Sequence, residues 1–394
     1  MTAPAVDHGA YAVSSPATLA APPVPGNSIG ERFRVTSFGE SHGAGVGVVV
    51  DGCPSGHRFP HERIAAQLAR RRPGQPLTSQ RAEPDAIEVL SGVEPSSGLT
   101  LGTPIAMMVR NVAARGSDYD ELQRVYRPSH ADFTYDARFG LRFVEGGGRA
   151  SARETVARVA AGALAEDLLA ARGIDVLAWV ERIGDVLAPA PDEPLLTRTE
   201  VDASVVRCPD PDAAAAMTAC VEQARKAGDT VGGVIRALVR GVPAGLGEPV
   251  FDKLSATLAH AMMSLPASRG FELGEGFAAA TMRGSVHNDP FVPAPQRAPA
   301  PPVATRTNHS GGIQGGISNG ETIRFAVAFK PVATIFVEQD TVTREGEATR
   351  YRARGRHDPC VVPRAVPMVE AMAAIVVLDA LLRRQGIRAQ ELAP

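Results

Sequence analysis

The chain is poor in cysteine. Its 394 residues hold four (Cys53, Cys208, Cys220, Cys360), scattered and without a Cys-x-x-Cys pair. That spacing excludes a structural zinc site and a disulfide framework, and it fits a reducing cytoplasm. An excess of one charge sign is lacking too: 41 Lys and Arg face 43 Asp and Glu, a formal net charge of −2. Nucleic-acid and membrane-surface proteins are usually basic, so neither partner is expected. No apolar run reaches the roughly 18 residues of a membrane span. The best candidate, Ala365 to Leu382, is broken by Glu370 and Asp379 and reads as a buried helix. Residues 1–27 contain no Lys or Arg, so they are neither a secretory n-region nor an Arg-rich transit peptide. Rich in Ala, Pro, Ser and Val, they are expected to form a disordered tail. No Gly-x-Gly-x-x-Gly follows a strand and opens a helix, which excludes a separate nicotinamide domain.

What is present is a chain with 44% hydrophobic and 21% charged residues, a globular composition with ample core. One domain is expected over 28–384, with a Pro-rich insertion near 288–304 and a flexible tail at 385–394. The stretch Gly39-Glu40-Ser41-His42-Gly43 lies between two strand-like runs, Arg32–Phe38 and Gly45–Val50. It has three readings. Gly39-x-Ser41-x-Gly43 fits a nucleophile elbow, but that turn needs a helix after it. Here Gly43-Ala-Gly-Val-Gly-Val-Val-Val continues as a β run. Gly43-x-Gly45-x-Gly47 has the wrong spacing for a dinucleotide loop. The third reading is a glycine-rich turn whose histidine is merely packed. His57-x-x-x-His61 has metal-like spacing, but Pro60 spoils the helical face, so it reads as a surface pair.

Further along, His61–Arg72 predicts a helix ending in Arg70, Arg71 and Arg72 before Pro73-Gly74. Those cations complement a helix C-terminus, or clamp a phosphate. Glu88–Ser91 and Ile105–Asn111 predict strands. A loop, Arg127-Pro-Ser-His130-Ala-Asp132, follows near Tyr126, Phe133 and Tyr135. In Gly146-Gly-Gly-Arg149-Ala-Ser151-Ala-Arg153-Glu154, Ser151 and Glu154 predict a capping box. Val156, Val159, Ala160, Ala163, Leu164 and Leu168 keep helical spacing behind it, up to Gly173. A glycine loop opening a helix, with Arg149 and Arg153, suits an anion.

The chain also echoes itself. Strand, Gly52-Cys-Pro-Ser-Gly56 and helix recur as strand, Gly241-Val-Pro-Ala-Gly245 and a helix over Phe251–Met263. Leu101-Gly-Thr-Pro-Ile before a strand is matched by Asn319-Gly-Glu-Thr-Ile. Two related halves follow, the second lengthened around Pro290–Pro302, read as a solvated loop. That half adds a glycine loop at 308–320, a strand Ile323–Phe329 and then Lys330 to Thr334. Gly355-Arg356-His357-Asp358-Pro359-Cys360 precedes the apolar helix, with Pro367 in its first turn. Histidines beside glycines (His42, His130, His309), Asp358 and loop arginines imply a polyanion pocket with acid–base function.

Seven of these motifs, in this order, resemble the chorismate synthase family: 38–43, 70–74, 127–132, 146–155, 241–252, 315–320 and 355–360. The resemblance runs from about Asn27 to Leu382. It implies an α+β fold, a β–α–β sandwich of two pseudo-symmetric halves, usually a homotetramer. It implies a lyase of the shikimate pathway that turns 5-enolpyruvylshikimate 3-phosphate into chorismate and phosphate by 1,4-anti elimination. Reduced FMN is required but not consumed, and an external NAD(P)H-dependent reductase supplies it. By position, His42 is expected as an acid near the leaving phosphate and His130 near the flavin. Asp358 is expected to assist deprotonation through the flavin N5. Flavin contacts fall on Arg149, Ala150, Ser151, Pro266, Ala267, Gly315, Lys330, Pro331, Val332, Ala333, Thr334 and Arg356. Substrate contacts fall on Ser41, Arg71, Arg127 and Arg153. Two departures stand out: Gln75-Pro76-Leu77 occupies a place where the family usually has a basic residue, and Ala150 replaces a frequent Ser. The rival class is a non-catalytic flavin or phosphate-ligand carrier, which would need the glycine loops but not the histidines with Asp358.

Overall fold

Valine-rich runs joined by glycine turns build a first antiparallel sheet. The computed structural model describes residues 26–78, 85–111, 123–297, 302–353 and 357–387. In chain order the first half comprises β1 (Ser28–Ile29), β2 (Arg34–Gly39), β3 (Gly45–Asp51), α1 (His61–Arg71), β4 (Glu88–Val89), β5 (Ile105–Arg110), α2 (Asp132–Phe139) and α3 (Thr155–Ala170). Its sheet runs β1-β2-β3-β5-β4, all pairs antiparallel. The second half comprises β6 (Asp175–Ile183), β7 (Val186–Leu187), α4 (Arg198–Asp202), α5 (Pro211–Lys226), β8 (Gly233–Arg240), α6 (Leu254–Met263) and β9 (Ser268–Leu273). It continues with α7 (Gly284–His287), β10 (Phe291–Pro293), β11 (Val303–Thr305), β12 (Ile313–Gln314), β13 (Ile317–Ser318) and β14 (Ile323–Phe329). It ends with β15 (Gln339–Val342), β16 (Ala348–Tyr351) and α8 (Val362–Arg383).

The second sheet runs β7-β6-β8-β14-β9, again antiparallel throughout. Strands β2-β3-β5-β4 therefore correspond to β6-β8-β14-β9. A helix follows the second strand of each set (α1, α6), and another follows the fourth (α3, α8). The echo between the halves is thus a shared topology. Helix α3 packs on β2, β3 and β5, helix α8 packs on β6 and β8, and the two helices pack on each other. The sandwich has sheets outside and helices inside, and one apolar core runs through both halves. At the helix crossing, a Cβ on Gly162 would lie 2.2 Å from the Ala371 Cβ, so the two backbones nearly touch. Helix α8 is long and apolar enough to cross a membrane, but Val362 to Asp379 is buried as the central core element.

Several expectations need correcting. The Pro-rich stretch is no plain loop: β10 and β11 pair across it, with only its tip, 298–301, outside the described residues. Pro367 lies in the second turn of α8, and Pro363 occupies the first. A short 3-10 turn, Ala152–Glu154, comes before α3, and only half the capping box forms. Ser151 Oγ accepts from the Arg153 N–H at 3.3 Å, whereas the Glu154 carboxylate turns to Arg158 at 3.0 Å. The N-terminal tail stops short of Asn27, which accepts from Ser37 N–H and from Arg149. Residues 1–25 and 388–394 of the expected tails lie outside the described residues, and Arg356 does too.

Candidate active site

The turn Glu40–Ala44 carries His42 and joins β2 to β3; the second half replaces it with the α4–α5 insertion. A strand follows the turn where a nucleophile elbow would need a helix, which removes the hydrolase reading of Ser41. Its hydroxyl lies 3.2 Å from His42 Nδ1. Asn111 fixes the turn, donating through Nδ2 to the carbonyls of Glu40 (2.9 Å) and Gly43 (2.8 Å). Arg149 fixes its base, donating to Gly39 O, Ser37 Oγ and Asn27 Oδ1. Gly39 needs to be glycine, since its φ is +88° and a Cβ there would meet Gly45 O at 2.1 Å.

His130 sits in a polar triangle. Its Nδ1 is 3.0 Å from Asp132 Oδ1, and Asp132 also takes Arg127 Nε (2.8 Å) and Nη2 (2.7 Å). The same Nδ1 lies 2.9 Å from Arg127 Nη2, so it stands between a group that only accepts and a group that only donates, and the ring is held from both sides. Burial alone would raise the Asp132 carboxyl, but the hydrogen bonds from Arg127 and His130 outweigh it and hold it well below the usual carboxylate range. The glycine loop covers this triangle: a Cβ on Gly147 would lie 3.3 Å from His130 Cε1.

Lys330 joins the second half to this loop. Its ammonium donates to Ser129 Oγ at 2.8 Å, and its backbone N–H to Ala267 O at 2.9 Å. Ala267 and Ser129 both hold positive φ, +67° and +58°. Burial first, and then the nearby Arg269, lower the Lys330 pKa. Among the described residues neither Lys330 nor Arg149 has a carboxylate partner. Lys330, a cation without a carboxylate partner beside Ala267 and adjoining Pro331 through Thr334, fits a phosphate-bearing cofactor. Gly315 does not join them within one chain. It lies between β12 and β13, at the end of β14 opposite Lys330. Its neighbours Gln314 and Ile317 line an apolar cavity of about 480 Å³ together with Val242 and Phe291.

The arginines expected to hold substrate are anchored from behind. Arg71 is 1% exposed and donates to Asp85 Oδ2 (2.9 Å), Thr155 Oγ1 (3.1 Å) and Ala152 O (3.1 Å). Arg153 pairs with the other oxygen of Asp85 and donates to Asn111 Oδ1 at 3.2 Å. Arg71 and Arg153 thus share Asp85 as a common anchor, and the clamp of three arginines does not form. Arg70 turns instead to Glu370 and Asp202. Gln75, where the family usually has a basic residue, donates to the carbonyls of Ala69, Arg70 and Arg72 and caps α1. Asp358 pairs with Arg364, whose Nε donates to Arg71 O at 2.9 Å. His309 is built around Asp289, which accepts from the backbone of His309 and Ser310. His57, read as half of a surface pair, is instead half-buried and pairs with Asp167 at 2.9 Å. Asp85, Asn111, Asp132 and Arg364 were missed in the sequence reading; only Asp132 was signalled there, two residues from His130.

Two antiparallel sheets around buried helices, with histidines and uncompensated cations at the seam of the halves, define an α+β enzyme for a polyanionic small molecule. Comparison with known proteins narrows this. The family pattern described as chorismate synthase matches residues 33–382. A chorismate synthase of Gloeothece citriformis is 56% identical over 363 residues, covering 92% of this chain and 98% of the relative. One from Akkermansia muciniphila is 54% identical over 366 residues, covering 92% and 99%. A solved structure titled "Crystal Structure of Chorismate Synthase" superposes with a TM-score of 0.68 at 29% identity, covering 91% of this chain and 94% of that one. The chain belongs to the chorismate synthase family.

Proposed function

We infer that the chain is a carbon–oxygen lyase that removes phosphate from 5-enolpyruvylshikimate 3-phosphate to give chorismate. This is a step of aromatic amino-acid biosynthesis. The carrying observation is the 56% identity to a chorismate synthase across 92% of the chain. The finer reading is a 1,4-anti elimination in the cytoplasm, with reduced FMN required but not consumed and supplied by a separate NAD(P)H-dependent reductase. When bound, reduced FMN lends electron density that eases C–O cleavage and recovers it within the turnover. The protein's own work is positioning, protonation and charge stabilisation. His42 gives a proton to the leaving phosphate, with Ser41 beside it. His130, oriented by Asp132, is the second acid. Asp358 assists loss of the ring proton. Arg127 and Arg153, held by Asp132 and Asp85, face the substrate anions. Arg149 to Ser151, Pro266, Ala267 and Lys330 to Thr334 hold the flavin. Arg356 belongs with them by sequence. A homotetramer would supply Gly315 from another copy.

The test is an anaerobic assay with substrate and dithionite-reduced FMN, counting chorismate per flavin. Many chorismates per flavin are expected, with none from oxidised FMN and NADPH. A yield capped at one removes the non-consumed cofactor, and rapid NADPH oxidation by the pure protein shows a reductase of its own.

A further inference from the structure

Arg364 stands in the first turn of α8, 7% exposed, and uses the two edges of its guanidinium for different halves of the molecule. Nη1 holds the Asp358 carboxylate, just ahead of α8 in the second half. Nε donates to the carbonyl of Arg71 at the end of α1, in the first half. Arg71 in turn fixes Asp85, and through it Arg153 and Asn111 beside the His42 turn. We propose that Arg364 is a positioning residue for Asp358, setting the place of its carboxylate relative to the first-half groups. This rests on the reading of Asp358 as a participant in proton loss.

The planar fork is what the role requires. A lysine carries one ammonium and cannot hold the Arg71 carbonyl and the Asp358 carboxylate in the same geometry. Helix α8 is the most deeply buried element, so the arginine's backbone has little freedom. A misplaced carboxylate slows the proton step but leaves substrate binding to groups elsewhere.

The experiment is a double-mutant cycle with the intact chain and reduced FMN. Arg364→Lys, Asp358→Asn and the double variant are compared by kcat, KM and the isotope effect from substrate deuterated at the carbon that loses its proton. Arg364→Lys should lower kcat by about 10- to 100-fold with KM within about threefold, and should raise the isotope effect. In the Asp358→Asn background the same change should cost less than about threefold, because the group it positions is gone. An equal loss in both backgrounds, or wild-type kcat in Arg364→Lys, overturns the proposal. Wild-type turnover in Asp358→Asn instead overturns the role given to Asp358. Should Arg364→Lys fail to fold, Arg364→Gln decides: its amide keeps an N–H donor for the Arg71 carbonyl but removes the guanidinium that holds Asp358. A lowered kcat with a raised isotope effect supports the positioning role, and wild-type kinetics refutes it.

Discussion

His42 and His130 occupy unlike settings. His42 rides a glycine turn whose backbone is pinned by Asn111 and Arg149, so its ring is placed by the turn. His130 is placed by its own Nδ1 contact with Asp132. The His130 loop is also held apart from the ring, by Arg127 N–H donating to Asp132 Oδ2 and His130 N–H donating to Arg127 O, so removing either ring should not unfold the chain. His42→Ala and His130→Ala are each expected to lower turnover by about 10²–10⁴, the usual range for lost acid–base help. Thermal melts should stay near the parent's, and full activity in either variant would remove its acid role. At this scale the sequence was informative about the actors and silent about their supports. The histidines announce themselves through their glycine neighbours. Asp85, by contrast, meets Arg71 and Arg153 only after folding, because 14 and 68 residues separate them. The same distance hid the anchor that Arg71 and Arg153 share.

Helices and strands were legible where burial is periodic. Strand β14 was read with the bounds it has, and the repeat of turn and strand foretold that β3 and β5 match β8 and β14. Pairings that depend on distant partners were not legible: hairpin β10–β11 lies across a proline run that reads as solvated, and Glu154 prefers Arg158 to a capping box. The crossing of α3 and α8 is of this kind. Helical spacing gave α3 and an apolar run broken by two acids gave α8, but nothing local says that Gly162 faces Ala371. Alanine is the better helix former by about 1 kcal/mol, so on an isolated helix Gly162→Ala would stabilise. Here the added Cβ would meet the Ala371 Cβ at 2.2 Å and its Cα at 2.4 Å, and backbone cannot swing aside as a side chain does. Overpacking of this type costs about 1–3 kcal/mol, and the contact with backbone belongs at its upper end. Gly162→Ala should therefore lose about 1–2 kcal/mol net, seen as a lower denaturant midpoint at unchanged slope. A midpoint at or above the parent's means that the helices have room to part.

The whole molecule is joined by two carboxylates buried among its helices. Glu370 on α8 is 0% exposed and Glu166 on α3 is 4% exposed. Gln67 of α1 donates to Glu166 at 2.7 and 2.8 Å, Arg70 pairs with Glu370, and Arg198 reaches both at 3.3 and 3.6 Å. Arg63 approaches Glu166 at 3.8 Å, and the Ala178 N–H of β6 donates to Glu370. The two acids respond oppositely. Burial, opposed by Arg198 and aided by Glu370, pushes the Glu166 carboxyl up to about 7. Burial acts on Glu370 as well, but Arg70 and Arg198 outweigh it and hold that carboxyl below its ordinary value. An acid whose pKa rises on folding binds its proton more tightly in the folded state. Between roughly pH 4.3, the unfolded value, and 7, the folded chain then holds more protons, so stability falls as pH rises through that window. Glu370 has the other sign: its contribution is present at neutral pH and fades only as pH falls through its depressed value. Glu166→Gln copies the neutral acid and should remove the first of these slopes. The difference in unfolding free energy between Glu166→Gln and the parent should therefore grow from about pH 5 to about pH 8, in favour of the variant. Denaturant titrations at several pH values measure it. A constant difference across that range would show that Glu166 is ionised throughout, and that the arginines around the pair outweigh its burial.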